Sequence, residues 1–229
     1  CGGFFSLDNL FVLKTINSTN SYCKALAKEG ATHETVVIAD KQTEGRGRLG
    51  REFFSPEGTG LYMSIILKPS EIPLSASLLT IAAGIAVCRT LETSCKSSPL
   101  IKWVNDIFIN NKKVCGILAE SVINATTNQL EYIIVGIGLN VSTPAEIFPG
   151  KLKDIAASAF PDVSRNEIAA KIINEFHNIY TSKAITDLID EYKSYSLVLG
   201  KRISFTKDDK TYLGTATELN IDGNLVVTL

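Results

Sequence analysis

Arg46, Arg48 and Arg51 fall within one short stretch, Gly45-Arg46-Gly47-Arg48-Leu49-Gly50-Arg51, separated only by glycines and a leucine. Guanidinium groups match phosphate and carboxylate oxygens in bidentate pairs, and three of them held this close repel unless an anion compensates them. Glycines on alternate positions let backbone N–H groups approach such an anion. The string also satisfies G-x-G-x-x-G, but a dinucleotide site needs a helix to begin at the glycines. Pro56, Gly58 and Gly60 follow within ten residues and no helical stripe appears. The Walker-A pattern is absent. The stretch therefore reads as a loop that grips a small polyanion, against the plainer alternative of a solvated arginine loop.

Two further constellations accompany it. In Ile101-Lys102-Trp103-Val104-Asn105-Asp106, a strand would point Lys102 away from its apolar neighbours, into a site or into solvent. Asn105 and Asp106 read equally as substrate-positioning groups or as turn formers. In Gly136-Ile137-Gly138-Leu139-Asn140, two glycines on one strand face suggest either something packed flat against the backbone or a bulge. Ser18-Thr19-Asn20 opens a helical stripe, where any of the three can cap the helix and a cap hydroxyl can also meet a ligand.

The 229 residues suffice for one large domain, with or without a small appendage. Apolar residues make up 45% of them, enough for a core without disulfide or metal support. A net charge of −1 argues against general nucleic-acid binding. No apolar run reaches the length of a membrane span, because Ser75, Ser77 and Thr80 interrupt Leu74 to Cys88. Five cysteines without a C-x-x-C, together with only His33 and His177, assemble no zinc site and point to the reducing cytoplasm. The cysteines read as bystanders, with Cys115 near a site by proximity only, and the histidines as ordinary helix-end and helix-face residues. The ends, Cys1-Gly2-Gly3 and Val227-Thr228-Leu229, read as trimmed.

These groups need a scaffold to position them. Patterning predicts helices over 18–29, 75–93, 164–180 and 185–195, with Gly30 and a Ser164–Glu167 capping box as boundary signals. Strands are expected over 35–39, 61–67, 100–103, 106–110, 114–120 and 130–141, joined by turns at Asn110-Asn111-Lys112 and Thr126-Thr127-Asn128. From Gly200 onward, short alternating strands with Asp222-Gly223 suggest a small barrel-like β appendage. The class is α+β with a central mixed or antiparallel sheet, divided as 1–196 and 197–229.

In this order and spacing the segments resemble biotin protein ligases. The quoted residues are Ser18-Thr19-Asn20, Gln42, the Gly45–Arg51 loop, Phe54-Ser55-Pro56, Gly60-Leu61-Tyr62, Lys102–Asp106, Lys113–Leu118 and Gly136–Asn140. The resemblance covers roughly residues 12 to 142, and the C-terminal part fits that family's small SH3-like domain. It departs where Val104 replaces a usual proline and Phe53 a frequent tryptophan. Only about 17 residues precede Ser18, so the resemblance is to forms without an N-terminal DNA-binding region.

The resemblance implies a ligase that activates biotin with ATP to biotinyl-5′-AMP, with Mg²⁺ expected, and transfers biotin to a lysine of a biotin carboxyl carrier protein domain. It implies no DNA or membrane partner and is compatible with a homodimer. Lys102, Arg46 and Arg48 would be catalytic. Ser18, Thr19, Asn20, Gln42, Gly45, Arg46, Gly47, Arg48, Lys102, Gly116 and Gly138 would meet biotin. Arg46, Arg48, Arg51, Phe53, Lys102 and Asn140 would meet ATP and the adenylate. The Gly-Arg loop would be mobile alone and order over the adenylate. No metal ligands are assigned.

Overall fold

A computed structural model describes residues 9–72, 74–124 and 126–229; the Cys1-Gly2-Gly3 terminus lies outside them. The chain runs β1 (Leu10–Ile16), α1 (Thr19–Lys28), β2 (Thr35–Gln42), β3 (Gly60–Leu67) and α2 (Ala76–Cys95). It continues through β4 (Leu100–Lys102), β5 (Asp106–Ile109), β6 (Lys112–Ile123) and β7 (Leu130–Asn140). Helices α3 (Leu152–Ile155), α4 (Arg165–Ser182) and α5 (Ile185–Ser194) follow. Strands β8 (Arg202–Lys207), β9 (Lys210–Leu219) and β10 (Leu225–Thr228) close the chain.

Seven strands form one sheet in the order β1-β2-β3-β7-β6-β5-β4. Only β1 and β2 are parallel, so the sheet is mixed. A parallel pair needs a crossover, and α1 supplies it. Helix α1 packs on one face against β2, β3 and β7, where Cys23, Ala27, Val37, Ile66, Val122 and Ile134 form a small core. The larger core lies on the other face beneath α2, which also contacts α4 and α5. Side chains alternate along each strand, so Ile133, Val135, Ile137 and Leu139 of β7 enter the large core. Gly136 and Gly138 consequently face the α1 side.

Capping fixes where the helices start. Ser18 and Ser75 accept the backbone N–H groups of Ser21 and Leu78. Ser164 and Glu167 form the reciprocal box that the sequence predicts. Each such cap stabilises its helix by about 1 kcal/mol. Asn110 and Asn111 adopt positive φ in the β5–β6 turn, as a tight hairpin requires.

Three elements differ in detail from what patterning alone conveys. β1 was not anticipated: Leu10-Phe11-Val12-Leu13 is a continuous apolar run, and Lys14-Thr15 breaks its alternation. The C-terminal segment is the small β appendage expected there, a three-stranded antiparallel sheet in the order β10-β9-β8. Its Leu219 belongs to the large core and Leu225 packs against that core. Helix α2, although Thr80 and other polar residues interrupt its apolar run, is long and apolar enough in composition to cross a membrane, and 78% of its most apolar window is buried within the fold.

Candidate functional site

A cavity of about 620 Å³ opens on the α1 face of the sheet. Its floor follows from strand register. Lys102 pairs with Asp106, Asp106 with Gly116, Gly116 with Gly138, and Gly138 with Tyr62. These five residues form one transverse row, at about 4.8 Å per strand. Two adjacent glycines thus make a strip without side chains in mid-sheet, with an ammonium two strands away.

The Phe53 ring covers that strip. A Cβ on Gly138 would lie 2.7 Å from the ring, and one on Gly116 would lie 3.3 Å from it. A methyl group at Gly138 would force the ring away, so the residue type there is set by close packing. Gly136 has the same constraint from another neighbour, since its Cβ would stand 2.1 Å from Asn20 Oδ1.

The Gly-Arg stretch is a short hairpin over the cavity. The Phe53 N–H donates to the Gly45 carbonyl at 2.8 Å and the Gly47 N–H to the Arg51 carbonyl at 2.7 Å. A Cβ on Gly45 would sit 2.2 Å from the Phe53 carbonyl oxygen, so a side chain there would block closure of the hairpin. At the tip, Leu49 and Gly50 take positive φ and Leu49 is 90% exposed. No α-helix begins at these glycines, only the three-residue turn Arg48–Gly50. The dinucleotide alternative therefore lacks the helix it requires.

One end of the cavity is neutral and rich in hydrogen bonds. The Thr19 N–H donates to Gln42 Oε1 at 2.8 Å, and Gln42 Nε2 donates to Ser55 Oγ at 2.9 Å. Fully buried Ser64 lies within hydrogen-bond distance of Thr19 Oγ1 and Asn20 Oδ1. Asn20 Nδ2 then donates to Glu120 Oε2 at 2.8 Å. A closed chain of this kind holds each polar atom in one orientation.

The other end is cationic. Arg48, Arg51, Lys102 and Lys113 line the cavity there with Glu52, Asp106 and Asp154, while Arg46 reaches to Glu120 at the first end. Asp106 pairs with Lys113 at 2.6 Å. Lys102 makes no ion pair among the described residues, and its ammonium lies 5.9 Å from the centre of the Phe108 ring. Arg48 donates to Asn105 Oδ1 at 3.2 Å, while Asn105 Nδ2 donates to the Ile117 carbonyl at 2.9 Å. Asn105 therefore both shapes the chain after β4 and meets the loop.

The structure gathers Ser18, Thr19, Asn20, Gln42, Arg46, Gly47, Arg48, Arg51, Phe53, Lys102, Gly116 and Gly138 around this one cavity. Gly45 lies beneath the hairpin as its closing residue. Asn140 is buried, donates to the Ala157 carbonyl at 3.1 Å and stands outside the cavity lining. The cause is the segment after β7, which folds back and takes the amide as an anchor.

Sequence reading gave Lys113 no role and missed Ser64 and Glu120, as well as the apolar wall of Leu152 and Ile155. Glu120 stands four residues after Gly116, so period-2 alternation could have placed both on one face. Cys115 lies on the opposite, core face, and burial pushes its thiol well above the ordinary range. His33 and His177 are not independent surface residues: both approach Glu34 beside Tyr180. Among the described residues, no group of three or more His, Cys, Asp or Glu could hold a metal ion.

Comparison with known proteins places the chain in a family. Residues 12–140 match the biotin/lipoate A/B protein ligase family. The chain is 36% identical over 220 residues to the bifunctional ligase/repressor BirA of Bacillus subtilis, covering 93% of this chain and 67% of that protein. It is 31% identical to the biotin–[acetyl-CoA-carboxylase] ligase of Mycobacterium tuberculosis, over 94% of this chain and 82% of the relative. A solved biotin protein ligase from Aquifex aeolicus, in complex with biotin and ATP, superposes with a TM-score of 0.79 at 29% identity. That match covers 96% of this chain and 92% of the other.

Proposed function

The chain belongs to the biotin/lipoate A/B protein ligase family, and we propose from that premise how its cavity carries out protein biotinylation. The protein is a ligase that activates biotin with ATP and transfers it to protein. The biotin carboxylate oxygen attacks the α-phosphorus, the bond to pyrophosphate breaks, and biotinyl-5′-AMP forms. A carrier lysine amine then attacks the acyl carbon, the acyl–phosphate bond breaks, AMP leaves and the amine loses a proton.

The observation that carries the assignment of roles is the row Lys102-Asp106-Gly116-Gly138 beneath the arginine hairpin. The uncharged network of Thr19, Asn20 and Gln42 suits a ureido ring, which needs donors and acceptors rather than charge. The glycine strip gives the bicyclic ring and its chain a flat seat once Phe53 moves. The carboxylate then points toward Lys102 and the arginines, where repulsion between an acid and a triphosphate must be overcome. Preorganised cations at that point stabilise the charge that develops in the transition state. Phe53, displaced from the strip, is free to stack on adenine.

Magnesium would accompany ATP, held mainly by phosphate and water, and would offset triphosphate charge; among the described residues no group of three or more His, Cys, Asp or Glu is placed to hold it. Ordering of the Gly-Arg hairpin over the adenylate excludes water from the anhydride. The acceptor is a carrier domain lysine. Residues 1–196 carry the chemistry and the small sheet braces it.

Pyrophosphate exchange into ATP tests the reading. Exchange that requires biotin is the expected result. Exchange supported by lipoate or octanoate instead would overturn it.

A further inference from the structure

Glu120 lies on β6, on the same face as Gly116, and its side chain is only 17% exposed. Three groups converge on it. Asn20 Nδ2 donates to Oε2 at 2.8 Å, Lys24 Nζ to Oε1 at 2.7 Å, and the Arg46 guanidinium stands 3.4 Å from Oε1. A single negative charge thus faces two positive ones. Lys24 holds the shorter contact and largely neutralises it. Arg46 is the surplus cation, on the longer contact and 46% exposed, so moving it leaves Glu120 still paired.

Resting on the ligase reading above, we propose that Glu120 is a positioning residue for the biotin end of the cavity. One carboxylate oxygen orients the Asn20 amide, and the other parks Arg46 at the cavity floor until an anionic ligand competes for it. The amide must be oriented because Asn20 has a fixed seat: Gly136 leaves room for its Oδ1, and Ser64 fixes that same oxygen. Without Glu120 its nitrogen has only the Leu118 carbonyl at 3.3 Å. The parked arginine also tethers the hairpin, whose other contact across the cavity is Arg48 with Asn105.

Trypsin reports the tether, because Arg46, Arg48 and Arg51 are its cleavage sites within the exposed hairpin. In unliganded Glu120→Gln, cleavage there should be at least about threefold faster than in the parent. Lys24→Met leaves Glu120 with Arg46 alone and should slow cleavage, a direction that damage to the fold would not produce. Glu120→Ala also releases Asn20, and its KM for biotin should rise about tenfold, the scale of one charge-assisted hydrogen bond. Its KM for ATP should stay within about twofold. Unchanged cleavage in both charge variants, or a KM for ATP that rises as far as that for biotin, would overturn the proposal. A parent without biotin-dependent exchange would instead remove the ligase reading, and the trypsin comparison would still decide the Arg46–Glu120 tether.

Discussion

The indole N–H of Trp103 donates to the Gly223 carbonyl oxygen at 3.0 Å, joining the segment that carries Lys102 to the β9–β10 turn. That turn is locked. Asn220 Oδ1 accepts the N–H groups of Asp222 and Asn224, and Gly223 sits at φ +81 against Ile81. Trp103→Phe keeps an aromatic ring, though a smaller one, and removes the donor. It should lower stability by about 1 kcal/mol, or about 2–4 °C in Tm, with a severalfold rise in KM for ATP. Thermal melts and exchange kinetics measure the two effects.

Lys102→Ala should lower biotin-dependent pyrophosphate exchange by about 10²–10³-fold, the scale of one preorganised donor. Because Lys102 is exposed and makes no ion pair among the described residues, the melting temperature should hold. Near-parental turnover would remove it from the reacting centre.

Arg48→Ala breaks the contact with Asn105 across the cavity mouth. Biotinyl-5′-AMP should then escape into solution, and bystander proteins should become biotinylated on surface lysines. Streptavidin blots of a mixed protein sample would show it. Labelling confined to the carrier would deny the hairpin its retaining role.

Gly136→Ala should be the most damaging small substitution in the cavity. The new methyl would meet Asn20 Oδ1 at 2.1 Å in a buried setting, and overpacking of this kind costs about 1–3 kcal/mol. Urea unfolding should show that loss, and calorimetry should show weakened biotin binding.

Acid should loosen the Glu120 cluster. Burial pushes this carboxyl upward, but hydrogen bonds from Lys24 and Asn20, with the charges of Lys24 and Arg46, outweigh burial and hold it below the usual range. A depressed carboxyl contributes stability that is full above its unfolded value of about 4.3 and lost as pH falls through the folded value. Glu120→Gln should therefore be less stable than the parent at pH 7. That difference should shrink as the pH drops below about 4, as urea titrations at several pH values can measure.

Much of the scaffold was legible because its signals are local. Ser18, Ser75 and Ser164 are caps whose chemistry is written within three residues. The glycines at 116 and 138 and Lys102 could each be suspected, but their alignment in one row depends on register between strands distant in sequence. The hydrogen bond from Asn140 to Ala157 joins residues 17 apart and has no local signal either. Glu120 had only its even spacing from Gly116 along β6, and Ser64 had no local signature at all. A buried serine inside an apolar strand reads as a tolerated accident until its partners arrive from α1. Short β1 escaped for a related reason, since its pairing with β2 depends on the α1 crossover.

The seating of Phe53 over Gly116 and Gly138 makes the protein its own first occupant. A newcomer to the strip exchanges with a ring already sheltered there, so apolar burial is gained only as a difference between two similar areas. Greasy look-alikes gain little from such a trade. Selection shifts to the two ends that a phenyl group cannot imitate, the hydrogen-bonding head and the anionic tail.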